Sequence, residues 1–320
     1  MGASVPRPSN PAKSCTLSAM SKVSRRKWLG SALAGAAALP ALELDALDAQ
    51  PPRRQRRQVP ATGRVAVRNR IHQSVARWCY PKIALDDLCR AGAEMGLMAI
   101  DLLKPEDWAT PRKYGLICAM GYAGADDIYN GLNRRANLPA IERAFRKNIP
   151  LAAKLGVPCV ICFAGARKGR PDDEGANYCI EGLRRLTPIA EDHGVTICME
   201  LLNSKIDHPG YMCDHTAWGV SVARGVNSPR FQLLYDIYHM QIMEGDLIRT
   251  IRTNMPFLAH FHTGGVPGRH GLNGHQEVRW DGVMRALVAE NFQGYVAHEF
   301  IPLGNDPLMS LRRAVALCDV

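Results

Sequence analysis

From about residue 71 to the C-terminus the sequence repeats one change of texture eight times: a short apolar run gives way to a longer stretch. The short runs are rich in Val, Ile and Leu and lack polar alternation, which is the texture of strands buried on both faces. The longer stretches place apolar residues at helical spacing, as amphipathic helices do. Strands are expected over residues 73–78, 98–103, 116–120, 158–164, 196–201, 231–236, 259–263 and 295–300. Helices are expected over 85–95, 138–155, 176–193, 216–224, 246–254, 280–290 and 308–318. The second connection, around residues 105–111, is short and poorly defined. Gly96, Gly156, Gly194 and Gly294 stand where helices should stop, the usual place for a residue free to turn left-handed. Eight such units make an α/β fold, a single-domain (β/α)₈ TIM barrel over residues 71–320. The rival, a doubly wound open sheet, would carry a glycine-rich phosphate loop after its first strand, and this chain has no GxGxxG or GxxxxGK[ST] there.

Charge is distributed unevenly. The chain carries a net charge of +10. The first 70 residues hold 13 Lys+Arg against 3 Asp+Glu, and residues 71–320 hold 27 of each. The barrel region is therefore neutral, which speaks against nucleic acid as a partner. The excess sits in a leader. SRRKWLG at residues 24–30 precedes the mildly apolar SALAGAAALPAL, a run too short to span a bilayer permanently. This pattern resembles a twin-arginine export signal. Residues 1–50 are expected to be that signal, with cleavage after Leu47-Asp48-Ala49 and with Met1 or Met20 as the start. Residues 51–70, including PPRRQRRQVP, read as a basic linker. The expected location is periplasmic or exported, the alternative cytoplasmic. No stable membrane span is expected, and a homo-oligomer is possible.

Nine of the ten cysteines follow residue 70, mostly as singletons in apolar runs, and read as buried small hydrophobes. Cys159 and Cys162 have CxxC spacing, but on a strand that offset points them to opposite faces. Thiols buried before export would stay reduced.

Four consecutive strands in the second half deliver a metal-competent side chain near their C-terminal ends. TICMELLN gives Glu200, FQLLYDIYHMQ gives Asp236, AHFHTGG gives His262 and GYVAHEF gives Glu299. The spacings of 36, 26 and 37 residues are one per strand-helix unit. A carboxylate inside an apolar run costs several kcal/mol unless compensated. Three carboxylates and an imidazole converging at the barrel mouth, where such barrels carry their sites, repel one another unless a divalent cation joins them. The mixed oxygen and nitrogen set suits Mn²⁺, Mg²⁺ or Co²⁺. Any one of the four alone would read as a structural ion pair or a satisfied core histidine; the register of all four argues otherwise. His260 shares the inward face with His262 and is a candidate supporting group, whereas His298 should point outward. His239, Arg269 in GGVPGRHG, and Glu277 in GHQEVRW are candidate substrate contacts or solvated loop residues. Asn203 is placed to orient Glu200. Trp78, Trp108 and Tyr122 line the pocket or pack in the core.

The strings ELLN, YDIYHMQIMEGDLI, GGVPGRHGLNGHQE and GYVAHEF resemble the hydroxypyruvate isomerase branch of the xylose-isomerase-like barrels, over residues 71–320 and most strongly from Glu200 to Phe300. The resemblance implies one divalent metal ion on Glu200, Asp236, His262 and Glu299, with Glu200 and Glu299 as the paired acid/base groups. It implies that His239 and Arg269 hold oxygens of a small hydroxy-carbonyl or sugar-like substrate, and that the chain is an isomerase working by enediolate proton transfer. Two features depart from that branch. Hydroxypyruvate isomerases tend to carry Gln where this chain has His262, whereas ketose 3-epimerases carry His. The epimerases also use an acidic residue soon after the first metal Glu, where this chain offers Asp207. A ketose 3-epimerase or inosose dehydratase is therefore the alternative. An exported, non-catalytic sugar-binding barrel is the alternative of another class, and an abasic-site nuclease is disfavoured by the neutral barrel.

Overall fold

The computed structural model describes residues 67–124 and 126–320. The expected export signal, and all but the last residues of the expected basic linker, lie outside the described residues. Eight parallel strands close in sequence order, β1-β2-β3-β4-β5-β6-β7-β8. They are β1 His72–Ala76, β2 Ala99–Leu103, β3 Ile117–Tyr122, β4 Cys159–Cys162, β5 Thr196–Leu201, β6 Phe231–Asp236, β7 Leu258–Thr263 and β8 Tyr295–His298. Every expected strand is present within a few residues, and the closed barrel replaces the open-sheet alternative.

The outer helices are α1 Leu85–Met95, α2 Leu138–Lys154, α3 Asp172–His193, α4 Thr216–Val226, α5 Ile237–Met243, α6 Leu247–Asn254, α7 Trp280–Ala289 and α8 Pro307–Cys318. Two differences from the sequence reading are informative. α3 begins at Asp172 rather than 176, because Asp172, Asp173 and Glu174 form an acidic first turn, which the helix dipole favours. α5 is an unforeseen helix between β6 and α6, begun by Asp236 itself.

The connection after β2 has no α-helix, only 3₁₀ turns at Pro105–Asp107 and Thr110–Tyr114. Trp108 from that connection is fully buried and donates its indole N–H to the Leu103 carbonyl at 2.9 Å. A Cβ on Gly121 of β3 would lie 2.5 Å from the Trp108 Nε1, so only glycine lets the ring seal this side. Trp108 is thus a core residue rather than a pocket wall. Gly96 and Gly194 end their helices in the left-handed region, as expected. Gly294 does not: Asn291 takes the left-handed turn after α7. Gly294 is needed for another reason, since a side chain there would strike the Ala259 carbonyl.

All nine cysteines among the described residues are free and buried. Burial raises the thiol pKa of Cys162, Cys179 and Cys318 well above the ordinary value, so they behave as unreactive apolar packing. No helix among the described residues is long and apolar enough to cross a membrane.

Candidate active site and metal centre

The four side chains singled out in the sequence meet at the C-terminal mouth of the barrel. Glu200, Asp236, His262 and Glu299 each offer one ligand atom, and these atoms lie within 4.8 Å of one another. All four residues are buried. Parallel pairing sets their heights: Asp236 stands opposite His262, and Thr263 opposite His298, which puts Glu299 one step beyond the end of β8.

Asp236 is held by the helix that it starts. Its Oδ1 accepts from the backbone N–H of Tyr238 at 2.8 Å and of His239 at 3.3 Å, an N-cap bond of the ordinary kind. That leaves Oδ2 to the cavity, 3.5 Å from His239 Nε2 and 3.4 Å from Arg269 Nη2. His262 Nδ1 lies 2.9 Å from Glu299 Oε2 and 3.3 Å from Glu200 Oε1. Arg269 reaches Glu299 Oε2 at 2.6 Å, and its guanidinium lies 5.3 Å from the ring centre of Trp78 and 5.2 Å from that of Tyr238. Trp78, just beyond β1, donates its indole N–H to Glu299 Oε1 at 2.5 Å. Both oxygens of Glu299 are therefore oriented by neighbouring donors.

The electrostatics are those of crowded, desolvated charges. Burial pushes Asp236 up to about 8; Glu299 adds to the rise and Arg269 opposes it. Burial also raises Glu200, helped by the charge of Glu299 and opposed by His262. Burial acts on Glu299 in the same sense, but Arg269 and His262 outweigh it and hold this carboxyl well below the usual range. His262 is buried too, yet Glu299, Asp101 and Glu200 together raise it well above an ordinary imidazole. The two glutamates are thus driven in opposite directions, the arrangement expected of an acid and a base sharing one cavity.

The donor set fits a divalent cation. Three carboxylates and one imidazole converge from four different strands, and the mixture of hard oxygens with one nitrogen suits Mn²⁺, Mg²⁺ or Co²⁺. His239 Nε2 is fully buried, lies 3.5 Å from Asp236 Oδ2 and has no hydrogen-bond partner. A polar atom left in that state points to a ligand oxygen beside it.

The remaining expected contacts divide. His239 and Arg269 line the cavity. Glu277 is exposed and lines the same cleft, about 530 Å³, as Trp78, Asp207, Tyr238 and Arg269. Asn203 does not orient Glu200. Its side-chain amide lies 2.6 Å from His239 Nδ1 and donates to Asp207 at 2.6 Å, while Tyr238 donates to the same Asp207 oxygen at 2.9 Å. Asn203 and Asp207 therefore support His239. Tyr122 is half-buried, and the charges of Glu299 and Glu200 add to burial in raising its hydroxyl pKa, which places it near the pair. His298 points outward as expected, bonding Gln73 at 2.9 Å and Thr263 at 3.1 Å. Asp101 was missed: it is a fully buried carboxylate on β2, 2.5 Å from His260 Nε2 and 3.6 Å from His262 Nε2. The signal was available, an Asp in the middle of the apolar run MAIDLL.

Comparisons with known proteins bear on the fold and the class of activity. Residues 112–314 match the family described as "Xylose isomerase-like TIM barrel". The chain is 26% identical over 244 residues to the putative hydroxypyruvate isomerase of Homo sapiens, covering 71% of this chain and 88% of that protein. It is 26% identical over 237 residues to the 2-oxo-tetronate isomerase of Cupriavidus necator, covering 70% and 89%. Among solved structures, AP endonuclease, family 2, from Brucella melitensis superposes with a TM-score of 0.68 at 22% identity, covering 75% of this chain and 97% of that one, a likeness of fold. The chain therefore belongs to the xylose isomerase-like TIM barrel family, and within it is an isomerase.

Proposed function

We propose that this barrel is a metal-dependent isomerase of a small hydroxy-carbonyl compound, of the hydroxypyruvate isomerase kind, and that it works by proton transfer through an enediolate. The observation that carries the reading is the convergence of Glu200, Asp236, His262 and Glu299 within 4.8 Å, with the pKa values of the two glutamates driven in opposite directions.

Glu200, Asp236, His262 and Glu299 would hold the ion. When bound it polarises the substrate carbonyl and acidifies the neighbouring C–H. Glu299, kept ionised by Arg269, removes that proton. Glu200, raised by burial, is the partner that returns one to the neighbouring carbon, while the hydroxyl proton passes to the former carbonyl oxygen and exchange with solvent resets both glutamates. Arg269 and His239 face the substrate oxygens and fix which carbon lies between the glutamates. Trp78 and Tyr238 cover the guanidinium and keep the charge in place.

The test is a metal-supplemented screen of the chelator-stripped protein against hydroxypyruvate, ketohexoses and inososes in D₂O. Ion-dependent interconversion with deuterium entering at the carbon beside the carbonyl is expected. Turnover that persists in chelator, or that leaves that carbon unlabelled, ends the reading. One residue favours a second outcome: His262 stands where the resemblance gives ketose 3-epimerases a histidine, so a ketohexose epimerised at C3 is the runner-up. The abasic-site nuclease is set aside, because residues 71–320 carry no net charge for a phosphate backbone. A barrel that binds these compounds without converting any would be the non-catalytic binding protein instead. We further propose export through the twin-arginine route. Arg25→Lys together with Arg26→Lys should retain the protein in the cytoplasm, and unchanged secretion would refute the signal.

A further inference from the structure

Beneath the metal-ligand layer lies a second cluster that the reaction does not use. Asp101, His260 and His262 are all fully inaccessible to solvent, and each offers an atom toward the others. The two imidazoles meet edge-on, centres 5.3 Å apart at 83°. His262 divides its nitrogens between the two layers. Nδ1 faces Glu200 and Glu299, and Nε2 faces Asp101 Oδ2 at 3.6 Å. Neither Asp101 oxygen, nor His262 Nε2, has a hydrogen-bond partner of good geometry. The Nε2 atoms of His260 and His262 both approach Asp101 Oδ2, at 2.5 Å and 3.6 Å. A shift of about half an ångström brings the longer of these contacts to ordinary hydrogen-bond length.

The backbone is bent to put this carboxylate there. β2 slips register against β3 on both sides of Asp101. Leu102, the next residue, sits at φ +58° inside a strand, a conformation that costs a non-glycine residue about 1–3 kcal/mol. Such bulges re-aim side chains near functional sites. Asp101 pairs with Ala76 of β1, on the face that points into the barrel.

We propose that Asp101 is a positioning residue for the metal-ligand imidazole: its carboxylate accepts the Nε2–H of His262, fixes the tautomer whose lone pair is on Nδ1, and turns that lone pair toward the ion. His260 approaches the same Asp101 oxygen, its Nε2 at 2.5 Å, and holds the carboxylate beside His262. This role rests on the metal centre proposed above. A neutral histidine has one N–H and one lone pair, and only an acceptor behind the ring decides which nitrogen faces the metal. Outer partners of this kind typically change metal affinity 10- to 100-fold.

The experiment is Mn²⁺ binding to the full-length, chelator-stripped protein, read from the free-ion EPR signal, with no substrate present. Wild type should bind one Mn²⁺ per chain. Asp101→Ala should weaken the dissociation constant about 10- to 100-fold, and Asp101→Asn, whose amide oxygen still accepts, should recover part of the loss. In a His262→Gln background, which has no tautomer to select, Asp101→Ala should cost little more. Equal losses in both backgrounds would reduce Asp101 to a structural partner of His260 and overturn the proposal, as would an unchanged constant. A second equivalent of Mn²⁺ lost in His260→Gln would also overturn it, by placing an ion among these three residues. Absence of Mn²⁺ binding in wild type would instead defeat the metal centre itself. Should Asp101→Ala fail to fold, the Co²⁺-loaded wild type decides. It should show one slowly exchanging, paramagnetically shifted N–H from the ligated imidazole, and its absence would overturn the assignment.

Discussion

The two halves of the barrel have the same architecture and very different chemical content. Strands β5 to β8 each bring one candidate ligand to the mouth, at Glu200, Asp236, His262 and Glu299. Strands β1 to β4 bring none of these four; from that side Trp78, just beyond β1, bonds Glu299, and Asp101 of β2 lies 3.6 Å from His262. The packing differs to match. The first half is closed by Trp108 against Gly121, a contact with no room for a methyl group. The second half is interrupted by buried charge and by the extra helix α5. Under the proposed function, one half of a quasi-repetitive fold would carry the reaction while the other supplies rigidity, because each strand needs only its neighbours' hydrogen bonds to stand.

This division breaks if a second-half substitution costs stability rather than turnover. Glu299→Gln should reduce kcat/KM by about 10²–10⁴-fold, the ordinary worth of a positioned acid or base. Its Tm should stay within a few degrees of wild type; near-normal turnover contradicts the assignment. The next effect in size is on the ion. Asp236 in the metal-free barrel keeps its proton up to about 8, and a ligand must be ionised to bind. Mn²⁺ affinity should therefore rise about tenfold per pH unit and level off above that value, by calorimetric titration. The sign for stability is opposite. A carboxyl raised in the folded state stabilises the metal-free fold most at low pH. That contribution is lost as pH rises from the unfolded value of 3.8 through about 8, so the melting temperature of stripped protein should fall across this window. A flat profile in both measurements would show that Asp236 titrates normally.

The first half should respond in the converse way. Gly121→Ala is expected to cost about 1–3 kcal/mol in urea unfolding through overpacking against Trp108, with Mn²⁺ affinity unchanged. Lost affinity at wild-type stability would erase the contrast. The smallest effect belongs to the border between the halves. Trp78→Phe removes one hydrogen bond to Glu299, worth about 0.5–1.5 kcal/mol, so kcat/KM should drop a few-fold. A loss as large as that of Glu299→Gln would place Trp78 in the reaction itself.

The second half was legible in the sequence because carboxylates inside apolar strands are physically expensive and their spacing matched the strand-helix repeat. The same argument applied to MAIDLL would have found Asp101. It stayed hidden because the residue stands alone on its strand, at a bulge that no alternation pattern reveals. Asn203 was assigned to the wrong partner for a related reason: the loop after β5 folds back over α5, which proximity along the chain does not show. Glu277, exposed on its loop, shares a cleft with Arg269, as their closeness in the sequence suggests. The helix α5 was missed because seven residues, Ile237–Met243, are too few for a periodic signal to stand out.

The double duty of Asp236 has a consequence for descent. One of its oxygens holds the first turn of α5 while the other looks into the cavity. A lineage that abandons catalysis cannot discard this side chain freely, since alanine would fray the helix and glutamate would overreach the turn. Asparagine or serine are the exits that keep the turn closed. A relative bearing either at this position, with α5 intact, would be a barrel that kept its shape after giving up its chemistry.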